Sequence, residues 1–187
     1  MIYVTVRDIS GWMKNAERLR TSNLFGALAL AVADKLRETV ESTSGYSAAA
    51  PSAIVQIGTN PNESIDRLRQ TLGLSHSAAV RITERLESDG LVQKSRGADG
   101  RVAMLTLTPA GRAVMYDILL DRRSMLSAVL EDLAADDWAA LSRIAEKVMP
   151  RLVASRNDSD HVCRLCDEDV CPYDRCPVEP VGGFHPA

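Results

Sequence analysis

Residues 65–112 read IDRLRQTLGLSHSAAVRITERLESDGLVQKSRGADGRVAMLTLTPAGR, and this stretch decides the fold. Its beginning predicts a short helix over 64–71 with Asn62 as its N-cap, because apolar residues recur there at helical spacing. Gly73 breaks this helix, and a second helix over 75–89 begins with a serine cap. Two short helices joined by a tight turn are typical of a helix-turn-helix.

The same stretch continues into a predicted two-stranded wing over 91–108. Its two segments, LVQKS (91–95) and VAMLTLT (102–108), alternate apolar and polar residues as paired strands do, and RGADGR between them is a strong turn signal. Gly90 ends the preceding helix, and Pro109 opens the next one, where its missing N–H is not needed. A helix-turn-helix followed by such a wing predicts a winged-helix domain.

The sequence on either side of this stretch predicts further helices. Residues 22–41 carry leucine and valine at every fourth position with Ser22 as N-cap, and 47–58 form a small-residue helix. Apolar stripes predict two more helices over 109–134 and 136–155. At the start of the chain MIYVTV suggests a strand and GWMKNAERLR a helix. Because aromatic residues make up only 4% of the chain, we expect a mainly α (α+β) fold.

These motifs resemble those of the MarR (multiple antibiotic resistance regulator) family of winged-helix proteins. The matching features are the Leu-Gly-Leu-Ser turn, Asp-Gly-Leu-Val before the wing, Asp-x-Arg within it and Leu-Thr-Pro-Ala-Gly after it. The resemblance covers about residues 20–156 and implies a winged-helix domain over 1–156, followed by a small cysteine-rich tail, 157–187. It further implies three segments, namely a DNA-binding lobe at about 47–112 and dimerisation helices at about 20–42 and 109–156.

The resemblance also implies the partners of the protein. A homodimer would bind double-stranded DNA at a pseudo-palindromic operator whose half-sites lie about 34–36 Å apart. Members of the family often respond to small phenolic or lipophilic ligands, so we expect a small-molecule effector as well. The expected function is that of a sequence-specific transcriptional regulator.

The DNA contacts are expected on the recognition helix, 75–89, and on the wing. The first turn of this helix would face base edges in the major groove, with Arg81 and Arg85 further along the same surface. In the MarR family the arginine of Asp-x-Arg enters the minor groove and the aspartate holds it, which implies these roles for Arg101 and Asp99. The complete predicted set is Ser75, His76, Ser77, Ala78, Arg81, Arg85, Lys94, Arg96, Asp99 and Arg101.

A competing interpretation treats these charges as an ordinary solvated surface. Arg81 and Arg85 could pair with Glu84 and Glu87, which is the usual fate of surface charges. Residues 63–112 carry only eight basic residues against six acidic ones. Some winged helices bind proteins, so the alternative function is a redox- or metal-sensing module that binds a protein partner rather than DNA. Salt-sensitive binding to duplex DNA separates the two functions.

All four cysteines lie in the tail, at Cys163, Cys166, Cys171 and Cys176. Their spacing is similar to that of the zinc knuckle, and four soft thiolates favour Zn²⁺ or an iron–sulfur cluster. So short a segment with few large apolar side chains would gain its folding free energy from a bound metal. Zinc is the first expectation for the cofactor. An iron–sulfur cluster, or redox-active thiols without metal, are the alternatives.

The charge balance divides at the start of the tail. From Asn157 onward there are seven acidic and two basic residues, so the tail contributes −5 to the net charge of −3 and leaves +2 for residues 1–156. No apolar run reaches the roughly 20 residues of a membrane span, and the N-terminus lacks the apolar centre of a signal peptide. We therefore expect a cytoplasmic protein without a membrane segment. It is not expected to be an enzyme, because no known catalytic motif stands in the sequence.

Overall fold

The structure is a computed structural model that describes residues 6–96, 103–171 and 173–179. Most of the predicted turn RGADGR lies outside the described residues, and with it Asp99 and Arg101. The two predicted strands on either side of that turn are present in the structure.

The chain divides into two compact units, Met1–Glu38 and Thr39–Ala187, and the first helix spans the boundary. The strands form one antiparallel sheet in the order β1-β3-β2. This helical fold with a small sheet confirms the predicted fold class. The elements are α1 Val6–Ser44, α2 Ala50–Thr59, β1 Glu63–Ser64, α3 Ile65–Leu72, α4 His76–Ser88, β2 Val92–Arg96, β3 Ala103–Leu107, α5 Pro109–Val129, α6 Ala135–Val148 and α7 Arg156–Val162, with 3-10 turns at Met149–Arg151 and Tyr173–Arg175.

The first helix is much longer than predicted, because it begins by Val6 rather than at Ser22. The N-cap predicted at Ser22 is wrong, since this residue lies inside α1 and its hydroxyl donates to the Arg18 carbonyl at 2.9 Å. A serine within a helix can satisfy its hydroxyl in this way, so it need not mark an end. The end of α1 is close to the prediction, and Gly45 follows it with a φ of 70°.

Helix α2 forms the centre of the core. All residues of Ala50–Ile57 are buried, and Pro51 stands in the first turn, where a proline is tolerated. Small side chains let its neighbours approach closely. A Cβ on Gly58 would overlap the Met115 side chain of α5. The fully buried side chains that surround α2 come from several elements and include Leu68, Leu86, Leu105 and Ile118.

The helix-turn-helix consists of α3 and α4. The N-cap of α3 is Ser64, whose hydroxyl accepts from the Arg67 amide at 3.1 Å, so the cap predicted at Asn62 is wrong. Asn62 instead has a φ of 68° and its amide donates to the Leu105 carbonyl, which begins the pairing of β1 with β3. Sequence reasoning missed β1 because two residues carry no alternation.

The second half of the helix-turn-helix follows the prediction. Gly73, with a φ of 64°, ends α3, and Ser75 caps α4 by accepting from the Ala78 amide at 3.2 Å. Gly90, with a φ of 74°, follows α4 and leads into the wing. The wing strands β2 and β3 pair from Val92 with Leu107 to Arg96 with Ala103.

Helices α5 and α6 are shorter than the predicted ranges 109–134 and 136–155. Thr108 caps α5, with Pro109 at its first position as predicted. No residue of α6 is buried, and Trp138 and Ile144 expose 44% and 50% of their surfaces. No helix among the described residues combines the length and the apolar character that crossing a membrane requires.

Candidate nucleic-acid interface and the adjoining thiol cluster

The first turn of α4 lies at the surface of the unit Thr39–Ala187. Ser75, His76 and Ser77 are exposed, and Ala78 is half-buried. The Ser75 hydroxyl serves the cap and lies 3.2 Å from the Ser77 hydroxyl, so His76 is the side chain here without a structural bond among the described residues. Buried Ala79, Thr83 and Leu86 hold the opposite face of the helix against the core. The helix therefore presents a rigid polar end to the solvent.

The two arginines of α4 have different surroundings. Arg81 is exposed, and among the described residues no acidic side chain pairs with it. The Arg85 guanidinium donates to the Asp89 carboxylate at 2.7 Å and lies 5.9 Å above the centre of the Tyr46 ring, although 70% of its side chain is exposed. The partner of Arg85 is thus Asp89, neither of the glutamates that the competing interpretation named.

Tyr46 and Asp89 complete this polar network next to α4. The Tyr46 hydroxyl donates to the Asp89 carboxylate at 2.6 Å. Burial and this bond raise the pKa of Tyr46 to about 12. The bonds from Tyr46 and Arg85 in turn lower the pKa of the Asp89 carboxyl. The network ties the segment between α1 and α2 to the C-terminal end of the recognition helix.

The wing contributes one free and one paired cation among the described residues. Lys94 is paired with Glu87 at 2.7 Å, whereas Arg96 at the end of β2 is exposed. Asp99 and Arg101, which the family resemblance assigns to the minor groove, lie outside the described residues. Arg81 and Arg96 are therefore the cations of this surface whose charge no described carboxylate offsets.

The four cysteines of the tail come together in one place, which we call the thiol cluster: Cys163, Cys166, Cys171 and Cys176. All four are free thiols and line one cavity of about 210 Å³. Gln56 and Asn60 of α2 and its C-terminus contribute to the wall, as do Arg156 and Glu168. The thiol cluster thus faces the winged-helix lobe.

The thiols influence one another's protonation. Interaction with the Cys166 side chain, followed by burial, raises the pKa of Cys163 well above its ordinary value. The hydrogen bond with the Cys163 side chain lowers the pKa of Cys166 to about 7, and the neighbouring Arg122 guanidinium contributes to that shift. Burial and the nearby Cys176 and Cys166 thiols raise the pKa of Cys171. Each thiol therefore has other members of the cluster as neighbours.

The backbone around the thiol cluster forms tight turns. The Cys166 amide donates to the Cys163 carbonyl at 2.7 Å, and the Cys171 amide donates to the Asp167 carbonyl at 3.0 Å. Turns of this kind bring the two sulfurs of a C-x2-C pair to one side, as a tetrahedral thiolate site requires. No three histidine, cysteine or acidic side chains of the described residues converge closely enough to hold a metal ion as they stand.

The attachment of the tail to the lobe is a feature that sequence reasoning missed. Arg67 of α3 donates to the Asp160 carboxylate and to the Asn157 side chain, both on α7. His161 Nδ1 donates to the Thr71 carbonyl at 2.9 Å. The acidic balance of the tail was a usable signal, because an excess of carboxylates seeks cations elsewhere in the chain.

A second attachment joins the tail to α5. Arg123 donates to the Asp167 carboxylate at 2.7 Å, and only 12% of the Asp167 side chain is exposed. Further along, Arg156 donates to Glu179 at 2.8 Å, and the Ser159 hydroxyl donates to the Val178 carbonyl at 3.1 Å. The tail is thereby folded back on α7 and held by two different helices of the winged-helix domain.

A second cavity, of about 430 Å³, lies next to α4. Its wall consists of the segment between α1 and α2 on one side and α4 on the other, with Tyr46, Leu74 and Ile82 as larger side chains. Arg81 and Arg85 stand at its edge. The cavity is therefore mainly apolar, with cations near the recognition helix.

Comparison with solved structures identifies the fold. The YusO protein from Bacillus subtilis is 19% identical, with a TM-score of 0.61 over 72% of this chain and 96% of its own. Apo MarR from E. coli is 22% identical, with a TM-score of 0.57 over 67% and 96%. A MarR family protein from Mycobacterium tuberculosis, in complex with p-aminosalicylic acid, is 24% identical, with a TM-score of 0.52 over 66% and 96%. No family model and no curated protein matches the sequence significantly. The chain has the winged-helix fold of these MarR-type structures.

Proposed function

We propose that the protein is a transcriptional regulator that binds double-stranded DNA as a homodimer through α4 and the wing. The exposed first turn of α4, with Arg81 uncompensated beside it, carries this proposal. Solved neighbours of the same fold include a MarR and a probable transcriptional regulator from Pseudomonas aeruginosa, which favours the same role. The proposal requires no catalysis.

The surroundings of each predicted contact residue indicate which part of the DNA it would bind. His76 and Ser77 would meet base edges, since a recognition helix reads the major groove with its N-terminal residues. Arg81 and Arg96 would bind phosphates, because no described carboxylate competes for them. Lys94 and Arg85 contribute less, since Glu87 and Asp89 already offset their charge. Arg101, held by Asp99, is assigned to the minor groove on the family resemblance.

The test is selection of a binding site followed by a salt titration. A random pool of duplexes of about 30 base pairs, long enough for two half-sites, is enriched on the protein. Binding of the enriched duplex is then measured by fluorescence anisotropy. We expect Arg81→Ala to weaken binding about tenfold and to reduce the salt dependence by about one phosphate contact. Arg143→Ala on α6 makes the same change in charge away from α4 and should bind like wild type.

Two outcomes would contradict the proposal. A selection that enriches no duplex would contradict DNA binding and favour the rival function, in which the winged helix binds a protein partner instead. An Arg81→Ala variant whose affinity and salt dependence equal those of wild type would contradict the assignment of the DNA contacts to α4. That rival predicts a partner whose binding depends on the same exposed residues of α4.

The homodimer is proposed from apolar surface that the single chain leaves uncovered. Leu24, Leu28 and Leu30 of α1 each expose more than half of their surface, and Ile144 of α6 exposes 50%. Apolar patches of this kind mark interfaces in soluble proteins, and two-fold dimers are the commonest solution. Ile144→Glu should yield monomers in light scattering, whereas Ser142→Glu, on an exposed neighbouring position, should remain dimeric.

We further propose that the thiol cluster binds a soft metal ion, with zinc as the first expectation. The shared cavity and the tight turns around the four cysteines support this. Metal analysis and an absorption spectrum of anaerobically purified protein test it. One zinc per chain without visible colour supports the proposal, and absorption near 400 nm would indicate the iron–sulfur alternative. Protein purified without any metal, and unable to take up zinc, would leave redox-active thiols as the role of the cysteines.

A small-molecule effector is proposed for the mainly apolar cavity of about 430 Å³ beside α4. The cavity volume suits a small aromatic acid, and arginines at its edge would bind the carboxylate. The p-aminosalicylic acid complex of the similar mycobacterial structure makes that compound a suitable first probe. Binding that weakens the interaction with the selected duplex would support an effector, and calorimetry without heat of binding would oppose it.

A further inference from the structure

The tail contacts two helices that the proposed function uses for different purposes. Helix α3 supports the recognition helix, since Leu68 and Leu72 are buried in the lobe beside α4. Helix α5 belongs to the predicted dimerisation segment 109–156. Arg67 binds the tail to α3, and Arg123 binds it to α5. The tail therefore connects α3, which supports the recognition helix, to α5 of the predicted dimerisation segment.

The thiol cluster lies between these two attachments along the chain. Cys163 is the C-cap of α7, the helix that Arg67 holds, and its amide donates to the Ser159 carbonyl at 3.0 Å. Cys166 immediately precedes Asp167, the residue that Arg123 holds. The short C-x2-C turn thus connects the α3 attachment directly to the α5 attachment. Any ion that joins these two sulfurs fixes the distance between the attachments.

The carboxylates of Asp160, Glu168 and Glu179 line the cavity of the thiol cluster, so a negatively charged metal–thiolate group there depends on nearby cations. A zinc ion with four thiolates carries a net charge of −2, which requires nearby cations when it is partly buried. The Nε atom of Arg122 on α5 is buried and has no hydrogen-bond partner among the described residues. Arg156 lines the cavity together with these carboxylates.

We propose that the tail is a metal-dependent strap between α3 and α5, and that zinc in the thiol cluster strengthens DNA binding. This rests on the proposed function of α4 in DNA binding. The four thiols lose their protons to solvent when zinc binds, and the tail becomes a rigid link. With α7 fixed, Asp160 and His161 hold α3 at one position relative to α5. The two recognition helices of the dimer are then pre-positioned for their half-sites, so less ordering is needed on binding.

The experiment uses the full chain, first freed of metal with a chelator and reductant and then titrated with zinc chloride. Three quantities are measured, namely zinc per chain, affinity for the selected duplex, and amide hydrogen exchange in α3 without DNA. For wild type we expect one zinc per chain, affinity about tenfold higher with zinc, and slower exchange in Ile65–Leu72. If no duplex binds, that result contradicts the proposed function alone. The strap can then still be tested by hydrogen exchange in α3.

The decisive variant is Arg67→Ala, with Arg69→Ala as its control. Arg69 lies on the same helix but pairs with Asp66 of α3 itself, so it makes the same change in charge without touching the tail. Arg67→Ala should take up zinc like wild type yet lose the effect of zinc on affinity and on exchange in α3, and Arg69→Ala should retain both. If Arg67→Ala does not fold, Arg123→Ala replaces it, because this variant removes the attachment of the tail to α5. Failure of wild type to bind zinc, or an undiminished zinc effect in both strap variants, would overturn the proposal.

Discussion

The winged-helix lobe and the tail are held in the protein by different forces. In the lobe Ile54, Leu68 and Leu86 are fully buried, and apolar burial of this kind stabilises regardless of salt. Among the described residues of 157–187 the one buried apolar side chain is Val178. The tail depends instead on ion pairs and hydrogen bonds to arginines of α3 and α5, and salt and protons modify such contacts.

This difference shows where the protein can respond to its surroundings. A core of packed aliphatic side chains opens only with global unfolding, whereas a segment held by polar contacts opens locally at lower free energy. The proposed metal-binding tail would use the second property, and the proposed DNA-binding lobe would use the first. The following experiments therefore perturb one region at a time and ask whether the other is affected.

The largest effect is expected for Gly111→Ala at the start of α5. A Cβ at this position would overlap the Leu91 carbonyl oxygen, a backbone atom that cannot rotate away, and Leu107 lies close as well. We expect the free energy of unfolding to fall by about 3 kcal/mol, as for an overpacked core. Urea denaturation followed by circular dichroism measures the change.

The control for this prediction is Ala110→Ser. It adds one atom at the preceding position, which is exposed, and should change the stability by less than about 0.5 kcal/mol. Equal stability of Gly111→Ala and wild type would show that the lobe is less tightly packed between β2 and α5 than the structure indicates. Amide hydrogen exchange in the tail should then be compared between Gly111→Ala and wild type, to test whether the stability of the tail changes with that of the lobe.

A smaller effect is expected for Asp160→Asn in α7. Its carboxylate binds Arg67 of α3 and lies 2.9 Å from Arg156 Nε, and its side chain is only 16% exposed. Loss of a charged hydrogen bond of this kind costs about 1.5 kcal/mol, so amides of α7 should exchange about tenfold faster while those of α2 stay unchanged. Asp169→Asn removes the same charge from an exposed position and should have no such effect. Faster exchange in both variants would attribute the change to net charge alone.

The sequence predicted the lobe better than it predicted the tail, for physical reasons. Caps and turns are local, so Gly73, Ser75 and Gly90 could be assigned from their neighbours alone. The start of α1 was misjudged because Ser22 is an N-cap residue type that also tolerates a helix interior.

Contacts between distant parts of the chain could not be predicted in this way. Arg67 and Asp160 are separated by more than ninety positions, and nothing in the local sequence of either residue names the other. The partner of Arg85 likewise has a distant contact, since Asp89 also accepts from the hydroxyl of Tyr46, 43 positions earlier in the chain. The residue types of the candidate site were predictable, whereas which of them are already paired was not.

The smallest effect concerns the hydrogen-bonded group of Tyr46, Asp89 and Arg85 next to α4. Since the pKa of Tyr46 is raised to about 12, its folded form favours the protonated phenol, and the resulting stabilisation is complete below pH 10 and lost as the pH rises towards 12. The tyrosinate absorbance that distinguishes wild type from Tyr46→Phe should therefore appear near pH 12, with circular dichroism reporting that the fold persists. Asp89→Asn should lower this midpoint towards 10, and Asp66→Asn, whose carboxylate binds Arg69 instead, should leave it unchanged. A wild-type midpoint near 10 would mean that the bond from Tyr46 to Asp89 opens in solution and that Asp89 keeps only its pairing with Arg85.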